Sequence, residues 1–215
     1  MSSFSRHGYL LAAATEKNER VRAFQIRYEA YVEQGFIEPN ATGLFSDSYD
    51  QNVNCPTWLL YRRDQTVGSI RTCIFLGKTG WNKIPCMEAF ADVLESNFHP
   101  QSRLVELSRI SVTGGAADRK AILALCSSAP CVGDHFGCDY IVAAFRKEHF
   151  SFYSHLKFEQ LCSPRSYPGV NFPTILAALN WKRDREHLTK HALFNQCLNC
   201  PWDKRGIFDS SEIEL

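Results

Sequence analysis

Apolar positions along the chain switch between a period of two and a period near 3.6. Tyr9-Leu-Leu-Ala-Ala-Ala14 is a short apolar run and predicts a first strand. Thr15 can cap a following helix, with Asn18 and Glu19 in its first turn, and Val21, Phe24, Tyr28 and Tyr31 then recur at helical spacing. Gly35 to Asn54 has no sustained period and contains Pro39, Asn40 and Gly43, so it reads as a long loop, which in a compact domain is usually functional or mobile. Trp58-Leu-Leu-Tyr-Arg62 and Val67-Gly-Ser-Ile-Arg-Thr-Cys-Ile-Phe75 are two strands joined by the hairpin loop Arg63-Asp-Gln-Thr66. Met87, Phe90, Ala91 and Leu94 mark a short amphipathic helix, and Arg119 to Ser128 a further one. Tyr140-Ile-Val-Ala-Ala-Phe145 is a continuous apolar run that suits a strand buried on both faces. Pro173 to Leu179 is the last strand, and Lys182-Arg-Asp-Arg185 opens a helix running towards Cys197.

One stretch breaks the alternation. In Leu104-Val-Glu-Leu-Ser-Arg-Ile-Ser-Val112, Val105 and Leu107 are in one phase while Ile110 and Val112 are in the other. An extra residue near Ser108 repairs the pattern: a bulge there returns all four apolar residues to one face and places Glu106 and Arg109 together on the other. An ordinary strand with a Glu106–Arg109 salt bridge is the plain alternative.

Composition limits the function classes. The chain has 215 residues, 45% of them hydrophobic, which suits one domain with a sizeable core. The formal net charge of +1 argues for neither nucleic acid nor membrane as a partner. No apolar run approaches the ~20 residues that span a bilayer, and Met1-Ser-Ser-Phe-Ser-Arg-His7 lacks the apolar core of a signal peptide, so a cytoplasmic location is expected. Nine cysteines, several in apolar runs (Cys73, Cys126, Cys162), read as reduced, buried thiols. Cys131-x3-His135-x2-Cys138 and Cys197-x2-Cys200 would have to converge to bind zinc. Their irregular spacing and separation argue against it, and no metal is expected. Gly77-Lys-Thr-Gly-Trp81 is only a fragment of a phosphate loop.

Several charged residues need a chemical explanation. Arg71 ends Gly68-Ser-Ile-Arg71, Asp47 and Asp50 lie in the long loop, and Arg20 and Phe24 lie one turn apart on the first helix. Together with Glu106 and Arg109 they suggest a buried ionic network rather than turn chemistry alone. Thr113-Gly-Gly-Ala-Ala-Asp118 leads from a strand into a helix, a turn that is either plain or receptive to an anion.

The set Arg20/Phe24, Asp47/Asp50, Arg71 and Glu106/Arg109 resembles the signature of acyl-homoserine-lactone synthases. It is more similar still to their relatives, the N-acyl amino acid synthases, which carry runs like Arg27-Tyr28, Tyr49-Asp50, Glu106-Leu-Ser-Arg109 and Tyr167-Pro168. The resemblance spans about residues 8–180. The lactone synthases place an acid where this chain has Phe45. Phe152-Tyr153-x3-Lys157-Phe158 is similar to a run of acetyltransferase-type folds, with Lys157 in place of a glycine.

The resemblance implies an α/β fold of the GCN5-related N-acetyltransferase type. That is a single acyltransferase domain over residues 1–215, with a core of about 8–180 and a helical extension of about 181–203. A mixed twisted sheet of about seven strands, flanked by helices, would carry the bulged strand at its centre. The implied activity is transfer of a long-chain acyl group from an acyl thioester, carried by acyl carrier protein or coenzyme A, to the amine of an amino acid. No tightly bound cofactor is expected. Glu106 is the candidate base and Tyr153 the candidate acid towards the departing thiolate. Arg20, Phe24, Asp47, Asp50, Arg71 and Arg109 would bind substrate or support the site, and Val112, Gly114, Gly115 and Arg119 would meet the donor. The helix from Met87 to Leu94 would help line an acyl-chain tunnel. Lys182, Arg183 and Arg185 are either a solvated face or a dock for an acidic carrier. A lactone-forming signal synthase and a non-catalytic binder of acylated carrier protein are the alternatives.

Overall fold

The computed structural model describes residues 3–6, 8–77, 83–113 and 118–190. The strands are β1 (Ser3–Arg6), β2 (Tyr9–Ala13), β3 (Thr57–Arg62), β4 (Gln65–Phe75), β5 (Leu104–Val112), β6 (Tyr140–Phe145), β7 (Glu159–Gln160) and β8 (Ile175–Asn180). The helices are α1 (Lys17–Glu33), α2 (Met87–Asn97), α3 (Arg119–Cys126), α4 (Ser128–Phe136), α5 (Phe150–His155) and α6 (Trp181–Thr189). The strands form one open sheet in the order β1-β2-β3-β4-β5-β6-β8-β7. All neighbours are antiparallel except β5 and β6, which run parallel.

Alternation on the strands sorts the core into layers. Val105, Leu107, Ile141 and Ala143 face Leu125 of α3, Val132 of α4 and Trp181 of α6. Leu104 and Val142 face the other way, towards Phe90, Val93 and Leu94 of α2. On that second side α1 buries Ala23, Phe24 and Ile26 against Leu59 of β3. Helices therefore cover both faces of the sheet, as its two apolar faces require.

Sequence and structure differ at four edges. The α1 cap is Glu16 rather than Thr15: its side chain and that of Glu19 form a reciprocal capping box, with Glu19 Oε2 accepting the Glu16 N–H at 3.0 Å. The single helix expected over Arg119–Ser128 ends at Cys126, and α4 follows at once. Pro130 is tolerated in the first turn of α4, where its missing N–H would lack an intrahelical partner anyway. The short strands β1 and β7 carry too few residues to leave a period in the sequence. The segments 78–82, 114–117 and 191–215 lie outside the described residues. They include most of the phosphate-loop fragment, Gly114, Gly115, Cys197, Cys200 and the far part of the expected extension.

The expected bulge is present. Ser111 of β5 pairs with Ser69 of β4, but Ser108 pairs with Arg71, so three steps on β5 oppose two on β4. Arg109 takes the left-handed conformation, φ 55°. A side chain there costs of order 1 kcal/mol or more, so the surrounding packing must hold it. Val112 closes the strand in the core opposite Gly68. Gly68 is required by contact: a Cβ there would lie 2.8 Å from the Ser111 carbonyl oxygen.

Candidate active site

The bulge also ends the pairing of β5 with β6. The parallel register runs from Leu104–Tyr140 to Leu107–Ala143 and stops. Beyond it, Ser108, Arg109 and Ile110 on β5 stand apart from Ala144 and Phe145 on β6, and a cavity of about 120 Å³ opens between them. The β6-facing backbone edge of β5 has no strand partner there, so its amides are left for a ligand or water.

On the α1 side of this wedge lies the ionic network. Asp47 caps a short 3-10 turn, Ser48–Gln51, and this turn delivers Asp50 as well. Asp47 takes both Arg71 terminal nitrogens, at 2.5 and 3.1 Å, and the Arg109 Nε and Nη2, at 3.1 and 2.7 Å. Asp50 Oδ1 lies 3.0 Å from Arg71 Nη1 and 2.7 Å from Arg27 Nη1. Arg27 also donates to Thr57 at 2.9 Å, and Arg71 Nε donates to Ser108 at 3.2 Å. Burial pushes the Asp47 carboxyl up, but Arg71 and Arg109 more than offset it and hold the group well below the usual carboxylate range. Phe45 lies under Arg109, with the guanidinium 4.4 Å from the ring centroid, so an aromatic face backs the cation.

Glu106 stands apart from this network. Its side chain is fully buried, and among the described residues it forms no salt bridge, with Arg109 or otherwise. Oε2 accepts the Cys86 N–H at 2.9 Å, while Oε1 has no partner among the described residues. Burial raises its pKa to about 7; the Cys86 contacts and the charges of Arg71 and Arg109 offset only part of that. Three guanidiniums against two carboxylates leave one positive charge, which moderates a buried acid without neutralising it.

Tyr153 reaches the cavity from the other face. Its ring stacks on Phe145 at 3.8 Å and meets Phe152 and Phe158 edge-on. Its hydroxyl makes no hydrogen bond to a described residue, and burial pushes its pKa well up. Such a group holds its proton at neutral pH.

The remaining expectations divide. Phe24 is buried beneath the Arg27 guanidinium, at 5.1 Å, but Arg20 is exposed and donates to the Thr15 carbonyl at 3.2 Å. The network's helix residue is Arg27, not Arg20. Arg119 is exposed at the start of α3. The cap there is Asp118, which accepts the Ala121 N–H at 3.0 Å and the Tyr9 hydroxyl, so a carboxylate already occupies that helix end. Lys182, Arg183 and Arg185 pair with Asp139, with Glu159 and Asp184, and with Asp134, which leaves this basic cluster largely neutralised. Cys131 and Cys138 are buried, His135 is exposed, and among the described residues no group of three side chains is placed to hold a metal. Phe90 and Leu94 of α2 are packed into the core while Ala91 is exposed.

Sequence reasoning passed over Tyr31, Phe36, Arg146 and Thr174, all of which line the cavity. Tyr31 is hidden in the helical apolar pattern. Arg146 left one signal, as the first charged residue after a six-residue apolar strand.

The family model described as "N-acyl amino acid synthase FeeM" matches residues 22–180. The solved structure of FeeM, an N-acyl amino acid synthase from uncultured soil microbes, has a TM-score of 0.70 and 20% identity, over 83% of this chain and 93% of that one. BjaI, a coenzyme A-dependent acyl-homoserine lactone synthase solved with MTA, has a TM-score of 0.63 and 19% identity, over 87% of each chain. An N-acetyltransferase candidate from Lactobacillus plantarum shares the fold at TM-score 0.55 and 14% identity, over 80% of this chain and 97% of that one. No curated protein sequence matches the chain.

Proposed function

We propose that this chain, which belongs to the FeeM family of N-acyl amino acid synthases and is an acyltransferase, moves a long-chain acyl group from acyl carrier protein to the amine of an amino acid. The observation that carries this reading is the wedge between β5 and β6, with unpartnered backbone on one wall and titratable groups on either side. The thioester arm lies along the open edge of β5, where amide N–H groups polarise its carbonyl. The amine nitrogen attacks the carbonyl carbon, a C–N bond forms, and the C–S bond breaks.

Three proton movements complete the exchange: one leaves the ammonium group before attack, one leaves the nitrogen to water as the amide forms, and one reaches the departing thiolate. An α-amino group is largely protonated near neutral pH and must lose a proton to attack. Glu106, with a pKa near 7, suits that acceptance, through water because its side chain is buried. Tyr153 then gives its proton to the departing thiolate, and the two groups re-equilibrate through solvent. The Asp47/Asp50 and Arg27/Arg71/Arg109 network holds the bulge that shapes the wedge.

The test offers purified protein dodecanoyl-carrier protein or dodecanoyl-coenzyme A with each of the twenty amino acids, and products are read by mass spectrometry. The expected product is an N-dodecanoyl amino acid, formed faster from the carrier protein. A homoserine lactone formed from S-adenosylmethionine would overturn the acceptor assignment. Faster turnover of the coenzyme A thioester would overturn the donor, and tight carrier binding without turnover would make the protein a binder.

A further inference from the structure

We propose that the cavity between β5 and β6 seats the carboxylate of the acceptor amino acid, with the Arg146 guanidinium as its clamp and the Thr174 hydroxyl as a second donor. This rests on the amino-acid acceptor of the proposed function and deepens it.

Four observations converge. First, the charge of the cavity has one sign: Arg109 and Arg146 line it, and no Asp or Glu does so among the described residues. Second, Arg146 is held flat and left open. Its guanidinium lies 5.0 Å from the Phe36 ring centroid and 5.6 Å from that of Phe172. Its ion pair with Glu148 runs through Nε at 3.3 Å, and among the described residues neither terminal nitrogen has a hydrogen-bond partner. Two parallel N–H groups on a planar fork match a carboxylate.

Third, Thr174 is 2% exposed and lines the same cavity, yet its hydroxyl has no partner among the described residues. Buried hydroxyls are rarely left unpaired, so this one points to a bound group. Fourth, the site is tied together from three elements. Asn171, beside Phe172, donates its N–H to the Phe36 carbonyl at 3.1 Å and its side-chain amide to the Gly35 carbonyl at 2.6 Å.

Size and side select the ligand. A volume of about 120 Å³ equals roughly four water volumes. That admits the polar head of an amino acid. Arg146 continues the alternation of Val142 and Ala144, so it lies on the α1 side of the sheet, opposite α3. A carboxylate on Arg146, at the β6 wall of the wedge, leaves the open edge of β5 to the thioester arm.

The experiment is independent of turnover. N-dodecanoyl derivatives of glycine, leucine and phenylalanine, each paired with its primary carboxamide, are titrated into the full-length protein by calorimetry. Wild type is expected to bind each acid about 10–100-fold more tightly than its amide, the scale of charge-assisted hydrogen bonds. Arg146→Gln should abolish that preference while leaving amide binding unchanged, Arg146→Lys should keep part of it, and Thr174→Val should reduce it by a smaller factor. Equal binding of acid and amide by wild type, or a full preference retained in Arg146→Gln, would overturn the proposal. A second arm titrates coenzyme A. If Arg146→Gln weakens coenzyme A but not the acids, the clamp serves the donor's phosphate and the proposal fails. Wild-type preference for the acids alongside absent turnover would refute the proposed reaction while leaving the carboxylate site standing.

Discussion

Replacing Glu106 by glutamine tests the buried acid on two independent readouts. The side chain is fully buried, and its pKa lies near 7 rather than at the ordinary 4.5. The sign follows from proton counting. Between those two values the folded state holds a proton that the unfolded state has lost, so stability falls as pH rises through this window and stays lower above it. A shift of that size corresponds to about 3 kcal/mol. Glutamine has no such titration. It keeps the size of the side chain, and its oxygen can still accept the Cys86 N–H.

The stability difference between Glu106→Gln and wild type should therefore grow by about 3 kcal/mol in favour of the variant from pH 4.5 to pH 8. For a chain of this length that is a relative gain of roughly 6–12 °C in Tm. Melting curves of both proteins at matched pH supply the difference, and the other titrating groups cancel in it. On the same preparations, a general-base role predicts a neutral-pH rate lower by ~10²–10⁴-fold, partly recovered at alkaline pH as more acceptor arrives as free amine. Parallel Tm-against-pH profiles would refute an uncompensated buried carboxylate. A Glu106→Gln enzyme with near-normal turnover at pH 7 would remove Glu106 as the base.

Arg71→Ala should cost about 3–5 kcal/mol, because it takes a fully buried partner from both Asp47 and Asp50 and leaves them only Arg109 and Arg27, whereas Arg109→Ala takes a partner from Asp47 alone and leaves it in its two-point grip on Arg71, so it should cost roughly 1–3 kcal/mol; denaturant titration gives the order, and a reversed order would refute this division. Tyr153→Phe removes a hydroxyl without a described partner and keeps the stack on Phe145, so Tm should stay within about 1 °C while kcat falls ~10²-fold or more; an unchanged kcat would dismiss Tyr153 as the acid. Charge reversal at Lys182, Arg183 and Arg185 should leave the donor KM within about twofold and its salt dependence unaltered, since these residues are already paired; a raised KM measured in carrier-protein kinetics would restore this face as a dock.

The bulged strand was legible because its error was local. A phase slip inside nine residues has one economical repair, and that repair fixes which side chains share a face. The partners of those side chains were less legible. Arg20, Phe24 and Arg27 lie on one helix face, and periodicity names the face without saying how deep each residue sits. Seven residues separate Arg20 from Arg27, about 10 Å along the axis, which is enough to place one in solvent and the other inside the sheet layer. Thr174 and Phe172 were illegible for another reason: their role depends on a loop packed against the end of α1, a contact that leaves no trace in spacing.

The single extra residue in β5 also explains why an acid and three guanidiniums can coexist a few positions apart. Without the bulge, Arg109 would sit on the face opposite Glu106, among Val105 and Leu107, with no counter-ion in reach. With it, Arg109 turns to Asp47, which also takes Arg71, and the cations are satisfied by the loop aspartates rather than by Glu106. Glu106 is thereby left buried, accepting a backbone N–H through one oxygen and nothing through the other. Had Arg109 paired with Glu106 instead, the carboxylate would have been held ionised at a low pKa and would be a poor proton acceptor near neutrality. The same residue that opens the wedge by ending the β5–β6 ladder thus keeps the network's charge off the acid beside it. Deleting Ile110 to regularise the strand should therefore do more than close the cavity. It should also move Arg109 out of reach of Asp47, and both the melting temperature and the pH dependence of stability should change together.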